Sequence, residues 1–396
     1  MKKFYYSLFA AATMLLATTS CSQDEELMSG SNGKEVQASF TVNLKNAPQS
    51  RANAGIGTCV NKLYYAVYEK DGVTKVMPAP SSPNKYLTVD IKDNEAKLTL
   101  SLINGESYDI VFWAQSTEAS DVYSFTELNE IKVNYNYASN RENLDAFFNT
   151  LNDFKASSAV STTVELRRPF AQLNIGTTVD DWNKAVTVKD GLAPVTSSKV
   201  TVTGLADTFN PMTGAATGNV NVEFTEAAIP GEDPFSVTVE KNGEEVTETY
   251  KYLALNYLLV PGTKAPQNLN KHEADDPDMN EALTKSLVNV EFTPYSDNEA
   301  LFTLKALNAP VQRNYRTNII GAWLTGDMKF DVVIIPEFDG VAENRYIWNG
   351  GVKAVTPDAN GVYNIYEGTE LAWIAQEVNK GTTFEGKTVT LQNDIY

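Results

Sequence analysis

Val36, Ala38, Phe40, Val42 and Leu44 are apolar, and polar residues stand between them. This period of two over nine residues predicts a strand with one buried face. Turn and linker residues then fill 46–58, including Pro48, Arg51, Gly55 and Gly57. From Val60 onward strand patterns recur at short spacing. Leu63 to Tyr68 runs into the turn pair Asp71-Gly72, and Tyr86 to Ile91 follows. Leu98, Leu100 and Leu102 alternate, Asn104-Gly105 turns the chain, and Tyr108, Ile110 and Phe112 alternate again. Ile131, Val133, Tyr135 and Tyr137 predict another strand. Within 141–154 the period changes: Leu144, Phe147, Phe148 and Leu151 have helical spacing and predict one short helix over an open end of the sheet.

A second strand series begins at Val164 to Ile175 and continues through Val200-Thr201-Val202, Tyr252 to Val260 and Val288 to Phe292. It ends with Thr317 to Ile320 and Phe330 to Ile334. Regular short strands separated by turns predict an all-β chain of two tandem β-sandwiches, 36–163 and 164–340. Beyond residue 340 the character shifts. A linker precedes Tyr363 to Tyr366, a helix over 369–379, a stop at Gly381 and a strand before Ile395. Thr369 caps this helix, and Leu371, Ile374, Ala375 and Val378 form its apolar face. The segment 341–396 is therefore a βα-type extension that resembles the first unit of a right-handed parallel β-helix. A lone unit cannot bury its own apolar face. It is expected either to continue in a longer chain, the favoured reading, or to dock on the preceding domain.

The N-terminus adds a location. Lys2 and Lys3 precede an apolar stretch from Phe4 to Ala17, then Thr18, Thr19, Ser20 and Cys21. The stretch is short for a membrane span, so residues 1–20 read as an export signal and Cys21 as a lipidation site. A strict lipobox has Leu three residues before the cysteine, where this chain has Thr18. Residues 21–35 form an acidic tether containing Asp24, Glu25 and Glu26. Acyl chains contribute about 0.8 kcal/mol per buried CH₂, so a multiply acylated Cys21 would anchor the protein without a transmembrane helix.

The formal charge of −18 becomes −20 once residues 1–20 are removed, which disfavours nucleic acid as a partner. With Cys21 lipidated, Cys59 has no intramolecular partner and is expected as a small buried side chain. His272 is the one histidine and lies in a polar run with Asp275, Asp276 and Asp278. That composition offers no Ser-His-Asp triad, zinc cluster or EF-hand, so no catalytic residue, metal or cofactor is expected.

Four segments resemble the fimbrillin superfamily, the lipoprotein pilins of type V pili. They are Ala66-Val67-Tyr68 with Asp71-Gly72, Asp145 to Phe148, Leu166 to Leu173, and Pro310 to Ile319. The resemblance spans about residues 36–340 and implies transthyretin-like or Greek-key sandwiches. It implies further that an arginine-specific protease cuts after the first strand, at Arg51. A partner pilin's strand would then fill the place of Val36, Ala38, Phe40, Val42 and Leu44. Five such side chains represent on the order of 7–12 kcal/mol of burial as an upper bound. An uncut loop arginine, as in anchor-type members, is the competing reading. Arg167, Arg168, Arg313 and Arg316 are expected to cap strands or pair with carboxylates. The function implied is a surface lipoprotein of the outer membrane, a fimbrial subunit or accessory or tip adhesin, non-enzymatic, with other pilins and a host or glycan receptor as partners. The alternative is a carbohydrate-binding or carbohydrate-cleaving surface protein whose active β-helix lies beyond residue 396.

Overall fold

The computed structural model describes residues 33–44, 59–157, 161–185, 194–231, 235–241, 244–262, 285–325, 330–336, 343–345, 352–366 and 368–392. In the first half the strands are β1 (Glu35–Leu44), β2 (Lys62–Glu69), β3 (Lys75–Met77), β4 (Leu87–Asp90) and β5 (Glu95–Ile103). They continue with β6 (Ser107–Gln115), β7 (Tyr123–Ser124), β8 (Ile131–Val133), β9 (Ala146–Lys155) and β10 (Ser161–Leu166). Positive φ at Gly72 and Gly105 closes the two turns that the sequence marks with Asp-Gly and Asn-Gly.

Eight of these strands form two facing sheets. One has the order β10-β1-β5, and the other has the order β3-β2-β6-β9 with β4 alongside β2. Between them lies an apolar cluster that includes Phe40, Leu63, Val67, Ile110, Phe112, Phe147 and Leu166. The second sheet is covered on its other face too. Val111, Trp113 and Phe148 point into a larger cluster shared with the second half of the chain. It is the middle layer of the molecule.

That double burial explains why the helix expected over 141–154 is absent. Residues 141–154 are not a helix beyond a 3₁₀ turn at Glu142–Leu144; Ala146–Lys155 is strand β9, paired antiparallel with β6. Phe147 enters one cluster and Phe148 the other. A strand buried on both faces loses its apolar-polar alternation, and a contiguous apolar run then mimics helical spacing.

The second half contains β11 (Phe170–Thr178), helix α1 (Val179–Ala185), β12 (Ser197–Leu205), β13 (Thr208–Asn210), β14 (Ala215–Thr217), β15 (Val220–Glu223) and β16 (Ala227–Ala228). It continues with β17 (Phe235–Lys241), β18 (Glu244–Leu259), β19 (Lys285–Ser296), β20 (Glu299–Ala300) and β21 (Leu304–Gln312). The last members are β22 (Tyr315–Gly321), β23 (Phe330–Pro336) and β24 (Glu343–Arg345). One sheet runs β17-β18-β11-β22-β23-β24, and the other runs β15-β12-β19-β20 with β16 on β12 and β21 on β19. Residues of both sheets, such as Leu173, Ile175 and Leu255 of the first and Val200, Val290 and Phe292 of the second, share one cluster. Both halves use one device: the first strand lies inside its sheet, parallel to one neighbour (β10 or β22) and antiparallel to the other (β5 or β18).

The halves are stitched together. Strand β10 spans the expected junction between residues 163 and 164 and pairs with β1. A small sheet, β14-β13-β8-β7, takes strands from both halves. Tyr135 donates from its hydroxyl to the Ala206 carbonyl at 2.8 Å and accepts from the Leu259 N–H at 3.0 Å. The all-β class holds; the short helix expected over 141–154 is replaced by strand β9, and a helix not expected from the sequence, α1, follows β11. Helix α1 is capped by Thr178, whose hydroxyl accepts from the Asp181 N–H at 3.2 Å. Cys59 is half-buried rather than enclosed.

The tail folds as β25 (Val362–Ile365), helix α2 (Gly368–Asn379) and β26 (Thr388–Leu391), with β25 and β26 parallel. Tyr363, Trp373 and Phe384 pack together at centroid distances of 5.3–6.3 Å. The helix face predicted to be apolar stays largely open, Val378 being 53% exposed, as does Leu391 on β26 at 57%.

Candidate functional site

Strand β1 begins the described chain and precedes the linker 45–58, yet it lies in the middle of its sheet. Nine register pairs join it to β5, from Glu35↔Ile103 to Asn43↔Glu95, and six join it to β10, from Ser39↔Ser161 to Leu44↔Leu166. Its ends are fixed as well. The Leu44 N–H donates to the Asn94 carbonyl at 3.0 Å, and the Asn104 N–H donates to the Lys34 carbonyl at 2.8 Å.

Four of the five expected donor positions are buried: Ala38, Phe40, Val42 and Leu44; Val36 is only partly covered. The Phe40 ring lies 5.1 Å from Phe154 and 6.4 Å from Phe112, both in the middle sheet. On the opposite face Gln37 donates to Ser101, and the Ser39 and Thr99 hydroxyls stand 3.4 Å apart. Burial of Phe40, Val42 and Leu44 alone represents about 5–9 kcal/mol as an upper bound. The alanine adds little apolar area and half-covered Val36 only part of its own, so the structure sets the strand at the lower end of the sequence-based range.

Cys21, Arg51 and His272 lie outside the described residues. Among the described residues, no cluster of His, Cys, Asp or Glu side chains could hold a metal ion, and no helix is long and apolar enough to cross a membrane.

A second arrangement holds the wall of this site. Arg168, just after β10, grips Asp145, just before β9. Its Nε donates to both carboxylate oxygens at 2.8 and 3.0 Å and its Nη2 donates at 2.8 Å, with both side chains fully buried. The guanidinium also lies 4.4 Å from the centre of the Phe147 ring. Arg167 joins the same place through its backbone, exchanging hydrogen bonds with Phe148 at 2.8 and 3.0 Å. Arg316 donates to Gln172 at 2.6 Å. Arg313 donates to the carbonyls of Val260, Gly214 and Gly262, and desolvation pulls its guanidinium down to about 10. The expected pairing with a carboxylate is met by Arg168, while the bonds of Arg313 go to backbone carbonyls and that of Arg316 to an amide oxygen. A helical period over 141–154 does not bring Asp145 to Arg168; the strand does, and the signal for it in the sequence is an acid beside an apolar run with an Arg-Arg pair downstream.

A family model described as a family of unknown function (DUF6562) matches residues 29–359. The chain belongs to this family. No curated protein matches it. Solved structures similar to this DUF6562 member include a fimbrial assembly protein from Parabacteroides distasonis, at 13% identity and TM-score 0.35, covering 78% of this chain and 98% of that one. The fimbrial anchor protein of Porphyromonas gingivalis is similar at 9% identity and TM-score 0.35, covering 78% of this chain and 98% of the other. The tip fimbrial protein of the same organism is similar at 8% identity and TM-score 0.36, covering 76% and 98%.

Proposed function

We propose that this DUF6562 chain is a non-catalytic fimbrial subunit or accessory adhesin, displayed on the outer membrane through lipid at Cys21 and assembled by β-strand complementation. One observation carries the reading: β1 lies inside its sheet, hydrogen-bonded on both edges, while the segment 45–58, which contains Arg51, joins it to the strands that follow. A strand so placed could be exchanged for another after a single cut. The four fimbrillin-like segments and the leader ending at Cys21 support the same assignment. Its partners are other pilin subunits and a surface receptor.

The test has two arms. Brief treatment of the folded chain with an arginine-specific protease should give a body beginning at Ala52. If Arg51 stays intact while other arginines are cut, the processing step fails and an uncleaved anchor or accessory role replaces it. Palmitate labelling should disappear in Cys21→Ala; label that persists in the variant would remove the lipid anchor from the proposal.

A further inference from the structure

Seated β1 shows what its groove accepts. The inward positions are not equivalent. Position 38 holds an alanine with no exposed surface, enclosed by a cluster of larger side chains. Position 40 holds a phenylalanine ring wedged between Phe154 and Phe112. Position 42 holds a buried valine, β-branched and stiff in its rotamer. Position 44 closes the row with leucine, and position 36 is half-open. The outward residues Gln37, Ser39 and Thr41 are exposed or half-exposed. Interiors are close-packed, so an enlarged side chain at a filled position is penalised even when it is more apolar. Truncating a filled ring leaves a cavity.

We propose that the β1 groove selects its partner strand by shape: a small residue, then an aromatic two positions on, then a β-branched residue two further, in a segment running parallel to β10. This rests on the complementation reading and adds to it the kind of strand that the groove accepts. The occupant is an extended segment of another polypeptide carrying small-x-aromatic-x-β-branched, as Ala38-Ser39-Phe40-Thr41-Val42 does here. Overall apolarity is not what the site reads. A strand with a bulky aliphatic residue at the position of Ala38 carries more apolar surface and binds worse.

The experiment uses the full chain with a site for an unrelated sequence-specific protease placed in 46–58, cleaved after folding so that β1 remains seated. Fluorescein-labelled peptides spanning residues 34–45 are added in excess, and entry is followed by anisotropy. The native peptide should enter. Ala38→Leu and Phe40→Ala peptides should each bind at least about tenfold more weakly. Val36→Leu and Ser39→Lys peptides, altered at a half-open and an outward position, should stay within about threefold, the context scatter expected of such effects. If no peptide enters, the native one included, complementation itself fails. If the native peptide enters but Ala38→Leu binds as well or better, complementation stands and the shape rule is overturned.

Discussion

Arg168→Met tests whether the buried ion pair is a mutually compensated unit. Both side chains of the pair are fully buried, and the substitution removes three N–H···O contacts while leaving the Asp145 carboxylate enclosed beside Phe147. An uncompensated buried charge of this kind costs about 3–5 kcal/mol. Replacing both partners by apolar residues, as in Asp145→Leu with Arg168→Met, removes both desolvation costs and is expected to recover most of that loss. Guanidinium unfolding followed by tryptophan fluorescence would measure it. Trp113 is a suitable probe because its buried ring contacts Tyr123, Phe170 and Phe209 in the cluster that joins the halves. The damage should extend to the candidate site, since β10 ends at Leu166 and lines β1; amide exchange in β1 should speed up in the single variant. If the double variant is as unstable as Arg168→Met, the loss comes from packing, and the unpaired-charge argument is refuted.

Three further outcomes follow from single sites. Burial pushes the Asp109 carboxyl above its usual range, the Asp153 N–H opposes this, and the charges of Asp153 and Asp71 add to it. The folded protein thus binds that proton more tightly than the unfolded chain does. The ionised form costs stability at neutral pH, and the cost is relieved as pH falls through the folded pKa. Asp109→Asn should raise the melting temperature at pH 7, with the gap to wild type closing on acidification; a gap that widens would reverse the argument. Gly218 has φ +106° and a β-carbon there would stand 2.3 Å from Asp207 Oδ1, so Gly218→Ala should cost about 1–3 kcal/mol in chemical denaturation. Tyr135→Phe strips partners from the Ala206 carbonyl and the Leu259 N–H and should cost about 1–3 kcal/mol, with an unchanged denaturation midpoint counting against it.

Strands with one wet face were plain in the sequence. The alternation at 36–44 matches β1 within a residue, and Leu98, Leu100 and Leu102 are buried in β5 while the lysine and threonine between Leu98 and its neighbours stay exposed. The tail helix, expected over 369–379, spans 368–379, because its stop at Gly381 carries the positive φ that a glycine there supplies. Legibility failed where a segment has no wet face. Strand β9 lost its period because the middle sheet is covered twice, and that third layer depends on how the halves pack, which no local pattern records. The Asp145–Arg168 pair was hidden for the same reason: 23 residues separate the partners, and only the strand assignment brings them together. Helix α1, by contrast, carries a local signal: Thr178 before Asp180 and Asp181 is a capping pattern for a helix N-terminus.

The separation of the two apolar clusters bears on whether a strand can leave this protein without unfolding it. All four enclosed side chains of β1 belong to the smaller cluster, and none belongs to the larger one that joins the halves. Displacing β1 would uncover one face of the middle sheet while Trp113, Phe148 and Val111 on its other face kept their partners. The flanking walls have attachments of their own. Strand β5 is tied to β6 through the Asn104-Gly105 turn, and the chain after β10 is held by Arg168 on Asp145 and by the Arg167–Phe148 backbone bonds. An open groove would therefore keep its shape at both edges while presenting unpaired N–H and C=O groups and about 5–9 kcal/mol of uncovered apolar surface as an upper bound. The cost of that exposure is what a complementary strand would relieve, so under the proposed complementation the same packing that buries β1 in one chain would supply the driving force for binding its counterpart from another.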